Sequence, residues 1–230
     1  KSNMKSMHKY NNPLIVAKSV YRETLIRSLF NEAIKGYEIS GSVLDIGSKS
    51  IKSGYYKKIK IKEGTNITFT DLHEGEGVVK LDVEKDFPFE DSTFDCVISF
   101  HLFEHVFNYQ NSVEEIQRIL KPGGKFIIAV PFMHKFHADP DDFYRFTSSA
   151  IKRIWSSSGL QCESMEYVGE GFFSYALTTM ASFIKPNFLK GIIKVTLYLL
   201  GTILDRIVNI KHKTIKRLYA LEHIAVFKKR

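Results

Sequence analysis

Three aspartates follow short apolar segments of the sequence, where the strands of a parallel sheet would end. Asp45 and Gly47 end the first segment, Asp71 follows the second and Asp82 follows the third. Because ligands of open parallel sheets bind beyond the carboxyl ends of the strands, these carboxylates could surround one ligand that carries hydroxyls and amines. Asp71 lies 24 residues after Gly47, close to the spacing of about 20 at which an acidic residue meets ribose hydroxyls. Each aspartate alone could equally cap a turn or a helix.

A second group of polar side chains lies between Pro131 and Thr147, where histidine, aspartate and aromatic residues are dense. His134, His137 and Asp139 are of the types that transfer protons or ligate a divalent metal. No further ligand clusters with them in the sequence, so we expect no metal site. The same segment could instead be a turn whose last residues orient the following helix.

The elements that must position these residues alternate between strand-like and helical patterns. Such alternation predicts a parallel sheet with crossover helices. The predicted strands cover residues 42–47, 66–69, 77–83, 94–100, 125–130, 160–168 and 221–227. Helical spacing is found in residues 11–36, 112–120, 147–158 and 172–217, the last being broken at Pro186.

Length and composition restrict the class of protein. With 230 residues, of which 44% are hydrophobic, the chain is predicted to form a single domain, with a flexible basic tail at residues 1–12. Two cysteines in apolar runs predict neither disulfides nor a metal cluster, and the polar N-terminal segment does not resemble a secretory signal. The longest apolar stretch, residues 192–204, is shorter than a membrane span, so we expect a cytoplasmic protein. The net charge of +8 favours phosphorylated, nucleic-acid or anionic-membrane partners.

Seven short motifs between about Ser42 and Pro131 share their order and spacing with a known family. They are Val43-Leu-Asp-Ile-Gly47, Phe69-Thr-Asp71, Leu81-Asp-Val83, Phe87-Pro-Phe89, Ser92-Thr-Phe-Asp-Cys-Val-Ile-Ser99, Leu102-Phe-Glu-His105 and Leu120-Lys-Pro-Gly-Gly124. In this succession the chain resembles the class I methyltransferases that use S-adenosylmethionine, of the type 11 kind. The resemblance implies an α/β fold: a Rossmann-like, seven-stranded, mostly parallel sheet with helices on both faces and a helical insertion before the last strand.

The resemblance also implies which residues bind S-adenosylmethionine and its product S-adenosylhomocysteine. The implied cofactor contacts are Asp45, Gly47 and Ser48 at the methionine part, Asp71 at the ribose, Leu72 at the adenine ring, Asp82 and Val83 at the adenine amino group, and Phe100 and His101 near the sulfonium. The sequence departs from the family at Lys49, which stands where a second glycine is usual. Either the loop takes a different path, with Gly54 supplying flexibility, or cofactor binding is weakened. A noncatalytic partner subunit with a methyltransferase fold is therefore an alternative hypothesis.

For the acceptor side, a looser resemblance covers residues 137–147, which are similar to segments of methyltransferases associated with bacterial surface polysaccharides. It implies O-methylation of a sugar, nucleotide-sugar or glycan. Removing the hydroxyl proton requires a base, for which we select His137 first and His134 second, with Asp139 beside them. The expected acceptor contacts are Asp142, Tyr144 and Arg145, of which Arg145 suits a phosphate or carboxylate. An RNA-binding methyltransferase remains an alternative, and no DNA partner is expected.

Residues 172–217 are rich in apolar and basic side chains and form the predicted insertion. A lid or a packing element of a homodimer is one interpretation. The other is a helix at residues 188–208 that lies on the inner face of a membrane, with apolar residues on one side and basic residues around it.

Overall fold

The computed structural model describes residues 12–48, 53–185, 187–211 and 215–230. Lys49, Pro186, Lys213 and nearly all of the predicted basic tail lie outside the described residues. Within the described residues, the strands are β1 (Glu38–Ile39), β2 (Ser42–Ile46), β3 (Lys60–Ile61), β4 (Asn66–Asp71), β5 (Val78–Lys80), β6 (Phe94–Phe100), β7 (Leu120–Pro131), β8 (Leu160–Val168) and β9 (Glu222–Lys229). The α-helices are α1 (Pro13–Val20), α2 (Leu25–Ala33), α3 (Gln110–Ile119), α4 (Ser148–Ser157), α5 (Phe172–Met180), α6 (Asn187–Lys211) and α7 (Ile215–Leu218).

Seven strands form one sheet in the order β5-β4-β2-β6-β7-β9-β8. The pairs β5-β4, β4-β2, β2-β6 and β6-β7 are parallel. From β2 the chain proceeds outward through β4 and β5 and then continues on the other side of β2 with β6 and β7. The strand order therefore reverses between β2 and β6, the place where open parallel sheets bind ligands. This arrangement confirms the predicted seven-stranded, mostly parallel α/β fold.

The described residues divide into two compact units, 37–166 with 223–230 and 12–36 with 167–222. In the first unit, Val43 to Ile46 of β2 and Phe126 to Pro131 of β7 are buried at consecutive positions, as expected for parallel strands covered on both faces. The core includes Trp155 of α4, whose ring centroid lies 4.6 Å from that of Phe126. Strands β8 and β9 each contain residues of both units. The single-domain expectation stays a prediction.

In the second unit, α6 packs tightly on α5. A Cβ atom added to Gly201 would lie 2.5 Å from the Cα atom of Ser174, so only glycine permits this approach of two backbones. Asp205, also on α6, is 1% exposed and accepts the backbone amides of Phe173 and Ser174 at 2.9 Å each. Its carboxylate thereby supplies the acceptors that the first turn of α5 lacks. Further along α6, a Cβ atom on Gly191 would meet the Tyr21 ring at 2.6 Å.

The second unit exposes many large apolar side chains. They are Phe172, Met180, Phe183, Leu189, Ile192, Leu200, Ile203, Ile207, Leu218 and Tyr219, besides Leu14, Ile15 and Tyr21 near its first helix. On α6 these residues fall mainly at helical spacing on one face. Among the described residues, no helix is both long enough and apolar enough to cross a membrane.

Several predicted boundaries need correction. The predicted helix at 11–36 is two helices, because Thr24 accepts the Arg27 amide at 3.3 Å and starts α2. The strand predicted at 125–130 begins at Leu120, which pairs with Phe94 across a bulge. The motif Leu102-Phe-Glu-His105 contains the short 3-10 helix Phe103–His105. By contrast, β6 covers the predicted residues, and the helix predicted at 147–158 is α4 with Thr147 as its N-cap.

Candidate cofactor and acceptor site

The predicted cofactor residues cluster at the carboxyl ends of neighbouring strands in the first unit. Asp71 ends β4, Gly47 follows β2 and His101 follows β6, and these three strands are adjacent in the sheet. Neighbouring strands lie about 4.8 Å apart, so the ends of β4 and β6 are about 10 Å apart. That distance suits an elongated ligand lying across the point where the strand order reverses.

Two residues at these strand ends have a left-handed backbone. Gly47 has a φ of 85°, which favours glycine, and donates its amide to the Thr70 carbonyl at 3.0 Å. An added Cβ would lie 3.1 Å from the Leu102 side chain, a tight contact. His101 has a φ of 54° and donates its amide to the Ala129 carbonyl at 2.9 Å. A non-glycine residue in this region carries backbone strain, and such strain is concentrated at functional sites.

The outer aspartates both take part in local turns. Asp71 is half-buried and accepts the His73 amide at 3.1 Å. Asp82 accepts the Glu84 amide at 3.1 Å and lies 3.1 Å from the Lys85 ammonium group. Leu72, the predicted adenine contact, is 51% exposed. The turn-capping interpretation of both aspartates is thus confirmed, and their cofactor contacts stay predictions.

Asp45 lies at the end of β2 but is fully buried under two tyrosines. The Tyr55 hydroxyl donates to Asp45 Oδ2 at 2.5 Å, and the Tyr56 hydroxyl donates to the same oxygen. Burial raises the pKa of Asp45 to about 6, against the lowering effect of these hydrogen bonds. The Tyr55 ring meets Phe100 edge to face at 5.0 Å, and the Tyr56 ring meets Phe69 at 5.7 Å. Asp45 therefore positions two aromatic rings beside the ends of β4 and β6.

The predicted cofactor contact of Asp45 stays a prediction, and the tyrosine pair is an addition to the site. Two consecutive tyrosines after Gly54 were the available sequence signal. Their packing on Asp45 could not be foreseen, because it depends on the 3-10 helix Gly54–Lys57, an element that no sequence pattern predicted. Ser48, the neighbouring prediction, accepts the Ser53 hydroxyl at its carbonyl at 2.9 Å.

A cluster of ionisable side chains lies on the loops that follow β6 and β7. Glu104 is fully buried, and its Oε1 is 3.7 Å from Nε2 of His105 and 3.7 Å from Nε2 of His137. Within the part of the chain that the structure describes, neither carboxylate oxygen of Glu104 has a hydrogen-bond partner. Burial raises the pKa of Glu104, and the nearby His101, His105 and His137 oppose that effect.

His137 is held at its other ring nitrogen. Its Nδ1 lies 3.2 Å from the Lys135 carbonyl and 3.4 Å from Asp142 Oδ2, and its backbone amide donates to the same carboxylate oxygen at 2.8 Å. The orientation leaves Nε2 directed at Glu104. The Arg145 guanidinium also lies 3.3 Å from Nδ1, so three polar groups fix the orientation of the ring.

Arg145 organises the loop between β7 and α4. Its guanidinium donates to the two carboxylate oxygens of Asp142 at 2.5 and 2.6 Å, which holds the pKa of Asp142 well below its usual range. It also donates to the carbonyls of His134, Lys135 and Tyr144. Arg145 and Asp142 thus have a structural role in the loop, and their acceptor contacts stay predictions.

The remaining predicted residues lie at different distances from this cluster. The His134 ring centroid is 4.6 Å from that of His137, and burial lowers the pKa of His134 to about 4. Asp139 is exposed, and its amide donates to the Asp141 carbonyl at 3.4 Å. His137 therefore lies closer to a carboxylate than His134 does. The carboxylate beside it is Glu104, and not Asp139 as the sequence suggested.

Tyr144 and the missed residue Glu104 are connected through the backbone. The amides of Phe143 and Tyr144 donate to the Glu104 carbonyl at 2.8 and 3.1 Å, and the Tyr144 hydroxyl donates to the Phe107 carbonyl at 2.9 Å. Glu104 lies in the motif Leu102-Phe-Glu-His105. Nothing in its sequence neighbourhood indicated that a loop some 35 residues later would enclose it. The one sequence signal was an acid beside a histidine in an otherwise apolar stretch.

The strand order and the motifs at the strand ends resemble those of the class I S-adenosylmethionine-dependent methyltransferases. Residues 34–128 match the sequence model of a family described as "Methyltransferase domain". Over 91 residues the chain is 30% identical to demethylmenaquinone methyltransferase of Bacillus pumilus. The aligned stretch covers 40% of this chain and 31% of that protein. Over 51 residues it is 47% identical to sterol 4-C-methyltransferase strm-1 of Caenorhabditis elegans, covering 22% of this chain and 15% of that protein. The matches thus span about a third or less of these relatives' length.

Solved structures share the fold at low sequence identity. Phosphoethanolamine N-methyltransferase 2 of Haemonchus contortus, in complex with S-adenosyl-L-methionine, superposes with a TM-score of 0.52 at 17% identity, over 93% of this chain and 60% of that one. The cyclase SpnF superposes with a TM-score of 0.56 at 13% identity, over 91% of this chain and 84% of that one. Since a cyclase and a methyltransferase both have this fold, the fold alone does not determine the reaction.

Proposed function

We propose that the protein transfers the methyl group of S-adenosylmethionine to a hydroxyl of a sugar, nucleotide-sugar or glycan. The observation that supports cofactor binding is the placement of Asp71, Gly47 and His101 at the ends of three adjacent parallel strands, on both sides of the strand-order reversal. One ligand could contact all three positions. The sugar acceptor is supported by the resemblance of residues 137–147 alone. Two relatives are named for other acceptors, a quinone and a sterol.

In the proposed complex, Asp71 binds the ribose hydroxyls with its carboxylate, and the exposed Leu72 packs on the adenine. Asp82 and Val83 lie at the adenine amino group. The Asp45-supported tyrosine pair borders the methionine part beside Gly47. His101, with its left-handed backbone, lies near the sulfonium at the end of β6.

Methyl transfer breaks the bond between the sulfonium sulfur and the methyl carbon and forms a carbon–oxygen bond to the acceptor. S-adenosylhomocysteine leaves, and the acceptor hydroxyl loses its proton. Without a bound cation, the proposed proton acceptor is His137, whose Nε2 lies 3.7 Å from Glu104 and whose Nδ1 lies 3.4 Å from Asp142. The enzyme contributes mainly alignment of the reacting atoms and this proton transfer.

The cofactor site is tested by calorimetric titration with S-adenosylmethionine and S-adenosylhomocysteine. We expect saturable binding by the wild type, and binding at least about tenfold weaker for Asp71→Asn, because charge-assisted hydrogen bonds contribute about 1.5–3 kcal/mol. The exposed Asp86 provides a matched control, and Asp86→Asn should bind as the wild type does. Absence of binding by the folded wild type would overturn the proposal and favour a noncatalytic partner subunit.

We also propose a peripheral location at the inner face of an anionic membrane, through the exposed apolar face of α6. Ile192, Leu200, Ile203 and Ile207 are 47% to 57% exposed on this helix. The net charge of +8 favours an anionic lipid surface and disfavours close association of two identical chains.

A further inference from the structure

We infer that Glu104, His105 and His137 form a binding site for a divalent transition-metal ion. One ligand atom from each residue lies within 4.8 Å of the others. Both Nε2 atoms are 3.7 Å from the same carboxylate oxygen. A metal with bonds of about 2.0–2.2 Å holds its ligand atoms roughly 3 to 4 Å apart, so the three atoms need only small movements to reach one ion.

The state of Glu104 is the strongest sign of a missing partner. The side chain is 0% exposed, and both carboxylate oxygens lack a hydrogen-bond partner among the described residues. Burying a carboxylate without a partner is costly, and proteins normally compensate with hydrogen bonds, an opposite charge or a metal. Imidazole nitrogens of His105 and His137 lie 3.7 Å from the carboxylate, and His101 also interacts with it electrostatically.

The second nitrogen of His105 is arranged as metal-binding histidines require. His105 Nδ1 lies 2.5 Å from the Asp141 carbonyl, and since a carbonyl only accepts, Nδ1 of the neutral ring carries the proton and Nε2 has the lone pair. His137 Nδ1 lies near two acceptors, the Lys135 carbonyl and the Asp142 carboxylate, and near one donor, the Arg145 guanidinium at 3.3 Å. Metal-binding histidines almost always donate their second N–H to a carbonyl or carboxylate in this way.

The donor set indicates the class of ion. Two imidazoles and one carboxylate suit zinc, manganese, iron, cobalt or nickel, whereas calcium and magnesium prefer oxygen ligands. Three protein ligands leave coordination positions open for a small molecule or water. This set replaces His134, His137 and Asp139, which the sequence offered as potential ligands: Asp139 is exposed, whereas Glu104 and His105 contribute from the loop after β6.

If the proposed function holds, the ion acts at the acceptor. A coordinated hydroxyl has a lowered pKa and loses its proton to solvent water, because a ligated His137 Nε2 can no longer accept it. This consequence rests on the proposed function, but the existence of the metal site does not. The metal is therefore tested alone, without S-adenosylmethionine, so that failure of one titration leaves the other interpretable.

The experiment titrates the chelator-treated full chain with Co²⁺, followed by visible absorption, and with Zn²⁺, followed by calorimetry. We expect one ion per chain and the d–d absorption of a cobalt ion with nitrogen and oxygen ligands. Glu104→Gln and His105→Gln should each weaken binding by more than about 100-fold. Asp142→Asn should weaken it by about 10–100-fold, as loss of a residue that orients a ligand does.

The matched control is His134→Gln, which removes a neighbouring imidazole outside the donor set and should leave the affinity within about threefold of the wild type. Circular dichroism shows whether each variant is folded. The inference is overturned if the folded wild type binds neither ion at a large molar excess. It is equally overturned if Glu104→Gln and His105→Gln, both folded, bind cobalt as tightly as the wild type does, because the binding then takes place elsewhere on the surface.

Discussion

Replacing Asp45 by asparagine should remove a defined part of the pH dependence of stability. Burial raises the pKa of Asp45 from 3.8 to about 6. The folded protein therefore holds the carboxyl proton more tightly than the unfolded chain does. The resulting stabilisation is fully present below about pH 4 and is lost as the pH rises through about 6. Since one pKa unit corresponds to about 1.4 kcal/mol, ionising Asp45 costs the folded state about 3 kcal/mol by pH 8.

The assay is urea denaturation of the wild type and Asp45→Asn between about pH 4 and pH 8. Glu104 also has a raised pKa, but it is present in both proteins, so its contribution cancels in their difference. We expect the free energy of unfolding of the variant, minus that of the wild type, to increase by about 3 kcal/mol over this range. Tyr56→Phe removes a hydrogen bond that lowers the pKa of Asp45, so it should move the transition to higher pH. A difference that does not change with pH would refute the reasoning.

Three further predictions concern the second unit. Gly201→Ala should lower the free energy of unfolding by about 1–3 kcal/mol because the added Cβ meets the backbone of α5. Gly191→Ala should be nearly neutral because its Cβ meets the Tyr21 ring, which can move. Equal effects of the two variants in urea denaturation would contradict this. Asp205→Ala should destabilise by about 2 kcal/mol and Asp205→Asn by less, since asparagine keeps one acceptor for the amides of α5; a more stable alanine variant would argue against the capping role. Sedimentation with anionic vesicles should capture the wild type but not the double variant Ile203→Glu and Ile207→Glu. If the double variant binds vesicles as the wild type does but loses a dimer in ultracentrifugation, the apolar face of α6 serves self-association instead.

The centre of the sheet was largely predictable from the sequence because β2, β6 and β7 contain runs of buried residues. The limits of β6 follow directly from the apolar run that ends at Phe100. Strand-end residues such as Asp71 and Gly47 were placed by the same reasoning, since the carboxyl ends of parallel strands meet at one edge. Boundaries that depend on a local cap or bulge, such as the start of β7, were less predictable.

The chemistry of the loops was less predictable because it depends on contacts between distant parts of the chain. Arg145 was expected to bind an acceptor anion, yet its guanidinium forms a close pair with Asp142, three residues away. That spacing was a usable signal. The enclosure of Glu104 was not foreseeable, since the histidine that approaches its side chain most closely from another segment, His137, is 33 residues further along the chain.

The double use of Glu104 has a consequence for protein engineering. Its backbone carbonyl accepts the amides of Phe143 and Tyr144, while its side chain faces His105 and His137. A transplant of residues 132–147 from a relative, made to change the choice of acceptor, would alter the shape of the loop and the reactive cluster together. A chimera that keeps these contacts therefore has to exchange residues 102–105 and residues 132–147 together.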